Sequence, residues 1–250
     1  MSWTPLADTQ GDTLYCWLPG WSFSPQVFSP IYNQLTGIHV GAEYIADSRM
    51  EEYAETLATE LKNISTQQNG KQLIFVGWSL GGALAVHCLK QFCQQSDIPA
   101  ALVTLATGER FLQEPEVSQQ GMEQQTFTTF SASLEKFPAK TTKRFLGLCT
   151  QHADNARELM RELANTQISD EATLIHSLNW LNYEILPEVN APQLHCYSHQ
   201  DGFNPRRLSP AFTSAENSHC FFLTESGQTE LLNSIQTLLL QLNEAQAEGV

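Results

Sequence analysis

A serine, an aspartate and a histidine stand in this chain in the order and the local settings that nucleophilic acyl transfer requires. Ser79 lies within Gly77-Trp78-Ser79-Leu80-Gly81, directly after the apolar run Leu73-Ile74-Phe75-Val76 and directly before the apolar segment Leu80–Leu89. A serine hydroxyl is a weak nucleophile and must be held where a base can reach it. A strand that turns sharply into a helix does this by projecting the side chain above the sheet. Small residues flank the serine because strand and helix approach closely, and the helix aims its free amides and positive dipole end at the reacting centre. The plain alternative, a glycine-packed turn with an inert serine, does not call for the strand before and the helix after.

The acid and the base follow such a serine along the chain. Leu194-His195-Cys196-Tyr197 reads as a late strand, and Asp201 comes in the loop just after it. A carboxylate there would fix the imidazole tautomer and stabilise the imidazolium that forms; a turn aspartate before Gly202 is the competing account. Of seven histidines only His219 follows Asp201, and it precedes the last helical segment, so it is expected to be the base. His39, His87 and His195 sit in apolar elements, and His152 and His176 belong to the middle of the chain. An oxyanion hole needs two backbone donors. The amide of Leu80 is one; the amide of Trp21, in Pro19-Gly20-Trp21 after the early apolar run Leu14–Leu18, is expected to be the other, with its indole available to line an acyl pocket. This chemistry calls for no metal and no cofactor.

The elements that must carry these residues are legible as alternation. Leu14–Leu18, Ile38–Ala42, Leu73–Val76, Ala101–Leu105 and Leu194–Tyr197 read as buried strands. Between them, Ser48-x-x-Glu51 resembles a capping box ahead of the stripe Met50, Ala54, Leu57 and Leu61, and Leu231, Ile235, Leu238 and Leu242 repeat such a stripe near the end. The pattern predicts an α/β fold: a mostly parallel central sheet with helices on both faces. Alternation fails over 108–187, where Phe145–Leu163 and Ala172–Leu186 read as helices. The expected organisation is therefore one core, 1–107 and 188–250, with a helical cap or lid at 108–187.

Composition bounds the function classes. A net charge of −14 argues against nucleic acid as a partner, since phosphate binding needs a positive surface. No apolar stretch approaches the roughly 18 residues of a membrane span, and Met1–Thr9 lacks the basic-then-apolar pattern of a signal peptide. Six scattered cysteines without a Cys-x-x-Cys pair read as buried thiols in a reducing compartment, so a cytoplasmic protein without a membrane partner is expected. Six of the thirteen Lys and Arg residues fall between Lys136 and Arg161. Lys140 and Arg144 are four apart, as are Arg157 and Arg161, so each pair shares a helical face. That patch could steer an acidic partner, or it could be a solvated face paired with Asp154, Glu158 and Glu162.

At these residues the chain resembles a known family. Pro19-Gly20-Trp21, Gly77-Trp78-Ser79-Leu80-Gly81-Gly82, Asp201-Gly202-x-x-Pro205 and His219-x-x-Phe222 are similar to the pimeloyl-[acyl-carrier protein] methyl ester esterases of biotin synthesis, which have the α/β-hydrolase fold. Lys143-Arg144-Phe145-Leu146, Ala156-Arg157 and Arg161 extend the likeness into the middle of the chain. The resemblance implies cofactor-free hydrolysis of the methyl ester of a pimeloyl chain borne on acyl-carrier protein. It implies carrier contacts at Lys140 (where the family has arginine), Arg144, Arg157 and Arg161, and acyl-channel aromatics at Trp21, Trp78 and Phe145. Two departures stand out: Pro19 occupies a position where such hydrolases usually carry histidine, and the segment from Asp201 to His219 is shorter than the resemblance implies. A general short- or medium-chain esterase or thioesterase, and a non-catalytic binding protein on the same fold, are the alternative readings.

Overall fold

The computed structural model describes residues 2–46, 48–68, 70–185 and 189–247. Its centre is a sheet of seven strands in the order β1-β3-β2-β4-β5-β6-β7, comprising β1 (Trp3–Asp8), β2 (Thr13–Leu18), β3 (Ile38–Ala42), β4 (Gln72–Trp78), β5 (Ala100–Leu105), β6 (Gln193–Tyr197) and β7 (Ala211–Thr213). Only β1 runs antiparallel, against β3; the remaining pairings are parallel. β2, β4 and β5 are buried along their whole length, as strands covered on both faces must be, which is why they read as unbroken apolar runs.

Helices cover both faces. α2 (Met50–Gln67) packs on α3 (Leu80–Gln95), and α1 (Ser29–Tyr32) packs on α8 (Glu225–Ala247). The expected stripes are the buried ones: Met50, Ala54, Leu57 and Leu61 on α2, and Leu231, Ile235, Leu238 and Leu242 on α8. The start of α2 differs by one residue from the capping box expected at Ser48 and Glu51. Arg49 is the N-cap; its backbone N–H and its guanidinium both donate to the Glu52 carboxylate, while the Ser48 hydroxyl is buried without a partner.

Between β5 and β6 the chain leaves the sheet and forms α4 (Gln124–Lys136), α5 (Pro138–Cys149), α6 (Ala156–Ala164) and α7 (Glu171–Leu178). The single helix expected over Phe145–Leu163 is thus two helices, broken where Thr150–Asn155 form turns, and the helix expected from Ala172 ends at Leu178. The expected junction at 187 and 188 lies outside the described residues. All six cysteines are free; five are buried, and Cys93 is exposed, contrary to the expectation of buried thiols throughout. No helix among the described residues is long and apolar enough to cross a membrane.

One core histidine makes a prediction. His195 on β6 is 1 % exposed, its Nδ1 lies 2.7 Å from Thr104 Oγ1 on β5, and burial pushes its pKa down from 6.5 to about 4. Between those two values the unfolded chain binds a proton that the folded chain refuses, so stability is present above pH 6.5 and drains away as the pH falls. The shift corresponds to about 3 kcal/mol at full extent. Urea denaturation at pH 7 and pH 4.5 should show this loss in the parent protein and a smaller loss in His195→Asn; equal losses would remove His195 as the cause.

Candidate active site

The nucleophile elbow is formed by the geometry that its glycines permit. β4 ends at Trp78, Ser79 adopts φ 54° and ψ −119°, and α3 begins at Leu80. A Cβ at Gly77 would lie 2.5 Å from the Gly81 carbonyl oxygen, and one at Gly81 would lie 2.1 Å from the Leu18 carbonyl oxygen. The first contact would force strand and helix apart, and the second would separate the elbow from the end of β2. The turn is also fastened from β5. The Ser79 amide donates to the Leu105 carbonyl (2.8 Å), and the Thr107 hydroxyl donates to the Ser79 carbonyl (3.0 Å). A positive φ at a serine costs about 1–3 kcal/mol, and these bonds hold it in place.

Asp201 and His219 meet. Asp201 Oδ2 lies 2.9 Å from His219 Nδ1, and Oδ1 of the same carboxylate accepts the Phe203 amide at 2.8 Å, which fixes its orientation. The short segment between them suffices because it carries only the three-residue strand β7 and no helix. His219 itself is fastened through its backbone: its amide donates to the Cys149 carbonyl at the end of α5 (3.1 Å), and its carbonyl accepts the Trp78 indole N–H (2.9 Å). An ionised carboxylate only accepts, so it keeps the imidazole proton on Nδ1 and leaves Nε2 as an acceptor. Nε2 is buried and has no hydrogen-bond partner among the described residues.

Ser79 follows directly on Trp78, whose ring centroid is 5.6 Å from that of His219, yet its hydroxyl is not bonded to Nε2. Catalytic hydrogen bonds of this kind are commonly loose before substrate binds. Two further groups are unspent. The amides of Trp21 and Leu80 donate to no acceptor among the described residues, while Gly20 O accepts the Phe23 amide at 3.1 Å and so turns the Gly20–Trp21 peptide's N–H the other way.

Aromatic rings close the site. Trp21 meets Phe145 edge-on at 4.9 Å, Phe145 lies 5.7 Å from Phe203, and Phe203 meets the imidazole at 4.6 Å. The Trp21 indole N–H donates to the Leu174 carbonyl on α7. Trp78, which the resemblance makes an acyl-channel aromatic, packs against Phe23, Phe222 and the His219 ring, and its indole N–H donates to the His219 carbonyl. Ser79 is 6 % exposed and His219 2 %, so both are largely shielded from solvent.

Lys140, Arg144, Arg157 and Arg161 are all exposed and none forms an ion pair among the described residues, so the salt bridges to Asp154, Glu158 and Glu162 of the alternative reading are not formed there. They do not share one cavity. Arg157 and Arg161 line a groove of about 470 Å³ together with Lys143, over Leu146, Met160 and Ala164, whereas Arg144 lines a separate cavity against α4. Sequence reasoning missed Thr107, Phe203 and Cys149; only Phe203, two residues after Asp201, carried a local signal.

A parallel sheet with a strand-turn-helix serine, a histidine–aspartate pair at the strand ends and a helical insertion above them defines an α/β-hydrolase. Solved structures of that fold superpose on nearly the whole chain: a hydrolase from Oleispira antarctica (TM-score 0.71, 14 % identity, 94 % of each chain) and an esterase from Exiguobacterium antarcticum (TM-score 0.66, 15 % identity, 96 % and 94 %). The chain belongs to the thioesterase-domain family, whose model matches residues 16–201, and it is an ester-hydrolysing enzyme. It is similar to the pimeloyl-[acyl-carrier protein] methyl ester esterases of Shewanella woodyi (26 % identity over 77 % of each chain) and Vibrio atlanticus (28 %, over 68 % of this chain and 73 % of that one).

Proposed function

We propose that the chain is a serine carboxylesterase that removes the methyl group from an acyl ester carried on acyl-carrier protein, the pimeloyl methyl ester of biotin synthesis. The observation that carries the catalytic part is the buried imidazole of His219, bonded to Asp201 through Nδ1 and left unpartnered at Nε2. A buried acceptor without a partner is costly, and it is retained here beside a strained serine.

Ser79 Oγ attacks the ester carbonyl while His219 Nε2 takes its proton. The Leu80 and Trp21 amides receive the oxyanion. The proton passes from His219 to the departing methoxide, methanol leaves, and an acyl-enzyme remains. His219 then draws a proton from water, which attacks the acyl carbon; collapse returns the proton to Ser79 and frees the acid. Trp21 and Phe145, with Phe203, form the apolar wall along which the acyl chain lies. The insertion over 108–187 acts as a cap at the site, where Ser79 and His219 are both buried.

The names of the relatives and the unpaired cations support the carrier as partner. On a chain of net charge −14, a localised positive groove directs an acidic carrier to one face. Lys143 joins Arg157 and Arg161 in this role, with Lys140 and Arg144 flanking.

Replacing both Arg157 and Arg161 by Glu should lower kcat/KM for a carrier-linked methyl ester about 100-fold, mainly through KM, with the defect shrinking at high salt. Turnover of p-nitrophenyl acetate should stay within about twofold, because a small neutral ester needs no steering. Equal losses on both substrates would favour a general esterase or thioesterase with an incidental patch.

A further inference from the structure

The second oxyanion donor sits on a loop with an unusual residue at its head, and the structure shows what holds that loop. Pro19 has no N–H to donate, so its carbonyl is the only backbone group of that residue that can form a hydrogen bond. That carbonyl accepts the hydroxyl of Tyr44 at 2.6 Å. Its other side faces the elbow helix, where a Cβ on Gly81 would come within 2.2 Å of the same oxygen. The Pro19 carbonyl is therefore the point at which the oxyanion loop, the start of α3 and the segment after β3 meet.

Tyr44 is well placed to be rigid. It is buried, its ring lies 5.8 Å from that of Trp180, and Trp180 Nε1 and His176 Nε2 both bond the Ser48 carbonyl (3.0 and 2.6 Å). Burial pushes the Tyr44 hydroxyl well above its ordinary pKa, so it remains a donor throughout the working pH range. A trans peptide is planar, with its N–H opposed to its C=O. Fixing the Pro19 oxygen thus fixes the plane entering Gly20, and the Gly20 carbonyl's bond to Phe23 then sets the direction of the Trp21 amide.

We infer that Tyr44 is a positioning residue: its hydroxyl holds the Pro19–Gly20 peptide so that the Trp21 amide points at the oxyanion. Tyr44 touches neither substrate nor Ser79; it acts through two consecutive peptide planes. The inference rests on the serine mechanism proposed above, in which Trp21 supplies the second donor.

The test is Tyr44→Phe, which keeps the ring against Trp180 and removes only the hydroxyl. Loss of a whole oxyanion donor costs 10²–10³ in kcat, and loosening one should cost about 10-fold, with KM changed by less than about twofold. Sulfur is a poor acceptor, so a matched thionoester, whose tetrahedral intermediate carries S⁻ in place of O⁻, gains little from the donor. The ratio of ester to thionoester turnover should fall by about the same factor as kcat. A merely structural role would lower both substrates alike or move KM, and either result would overturn the inference, as would unchanged kcat. Urea denaturation of the variant checks that it is folded; should it not be, Trp180→Phe, which loosens the same tyrosine from behind, is assayed for the same change of ratio. Parallel assays of Ser79→Ala keep the two readings separable. Activity that survives there overturns the serine mechanism, whereas an inactive Ser79→Ala with an unaltered ratio in Tyr44→Phe removes the role of Tyr44 alone.

Discussion

Ser79→Ala should remain folded and lose about four powers of ten in p-nitrophenyl ester turnover, while Ser79→Gly should lose as much activity and be the more stable of the two by about 1 kcal/mol. The activity loss follows from removing the attacking oxygen: the Leu80 and Trp21 amides and the imidazole are left with no nucleophile to serve. The stability difference follows from the backbone. At φ 54° a Cβ is strained, so alanine keeps the strain of about 1–3 kcal/mol that serine bears, and glycine sheds it. Glycine loses roughly 0.5–1 kcal/mol of that gain to the greater entropy of its unfolded chain. Measuring kcat/KM and urea midpoints for the three proteins decides both halves. Substantial activity in either variant would remove Ser79 as nucleophile, and an alanine variant as stable as the glycine one would show that the elbow stores no strain.

Asp201→Asn should cost about 10⁴-fold in kcat with little change in fold. The asparagine side chain fits the same space, but its amide can donate to Nδ1, which draws the imidazole proton to Nε2 and turns the base into a donor facing Ser79. Asp201→Ala should be milder at the imidazole but should also free the Phe203 amide, which the carboxylate now holds, and with it the ring against the histidine. An Asn variant that kept most of the activity would mean that another group orients His219.

Much of this arrangement can be read along the chain, and the failures have local causes. β2 to β5 were visible because strands covered on both faces need apolar residues along their length, and β6 because its last three residues are buried. β1 was not: it is an edge strand with Pro5 inside it and a break in register between Pro5 and Ala7, so neither alternation nor an apolar run marks it. β7 has three exposed residues and no pattern at all. α4 is rich in Thr, Ser and Gln, and only Phe127 and Leu134 are buried, so packing rather than propensity makes it a helix. At the site, the serine, aspartate and histidine could each be named from a neighbouring strand or helix. Their supports could not, because Tyr44, Thr107 and Cys149 act through backbone atoms of residues far away in sequence, and such bonds leave no periodicity. The split of Arg144 from Arg157 and Arg161 is of the same kind: helical spacing placed each pair on a face but not the two faces on a common groove.

The bond from the His219 amide to the Cys149 carbonyl bears on redesign. Retargeting such a scaffold by grafting a foreign insertion treats the helices between β5 and β6 as an interchangeable module. Here the last turn of α5 is part of the seat of the imidazole, so a transplant that alters the path of that turn also detunes proton transfer. Chimeras of this protein should therefore keep α5 through Cys149 with the parent scaffold and place the donor junction after it.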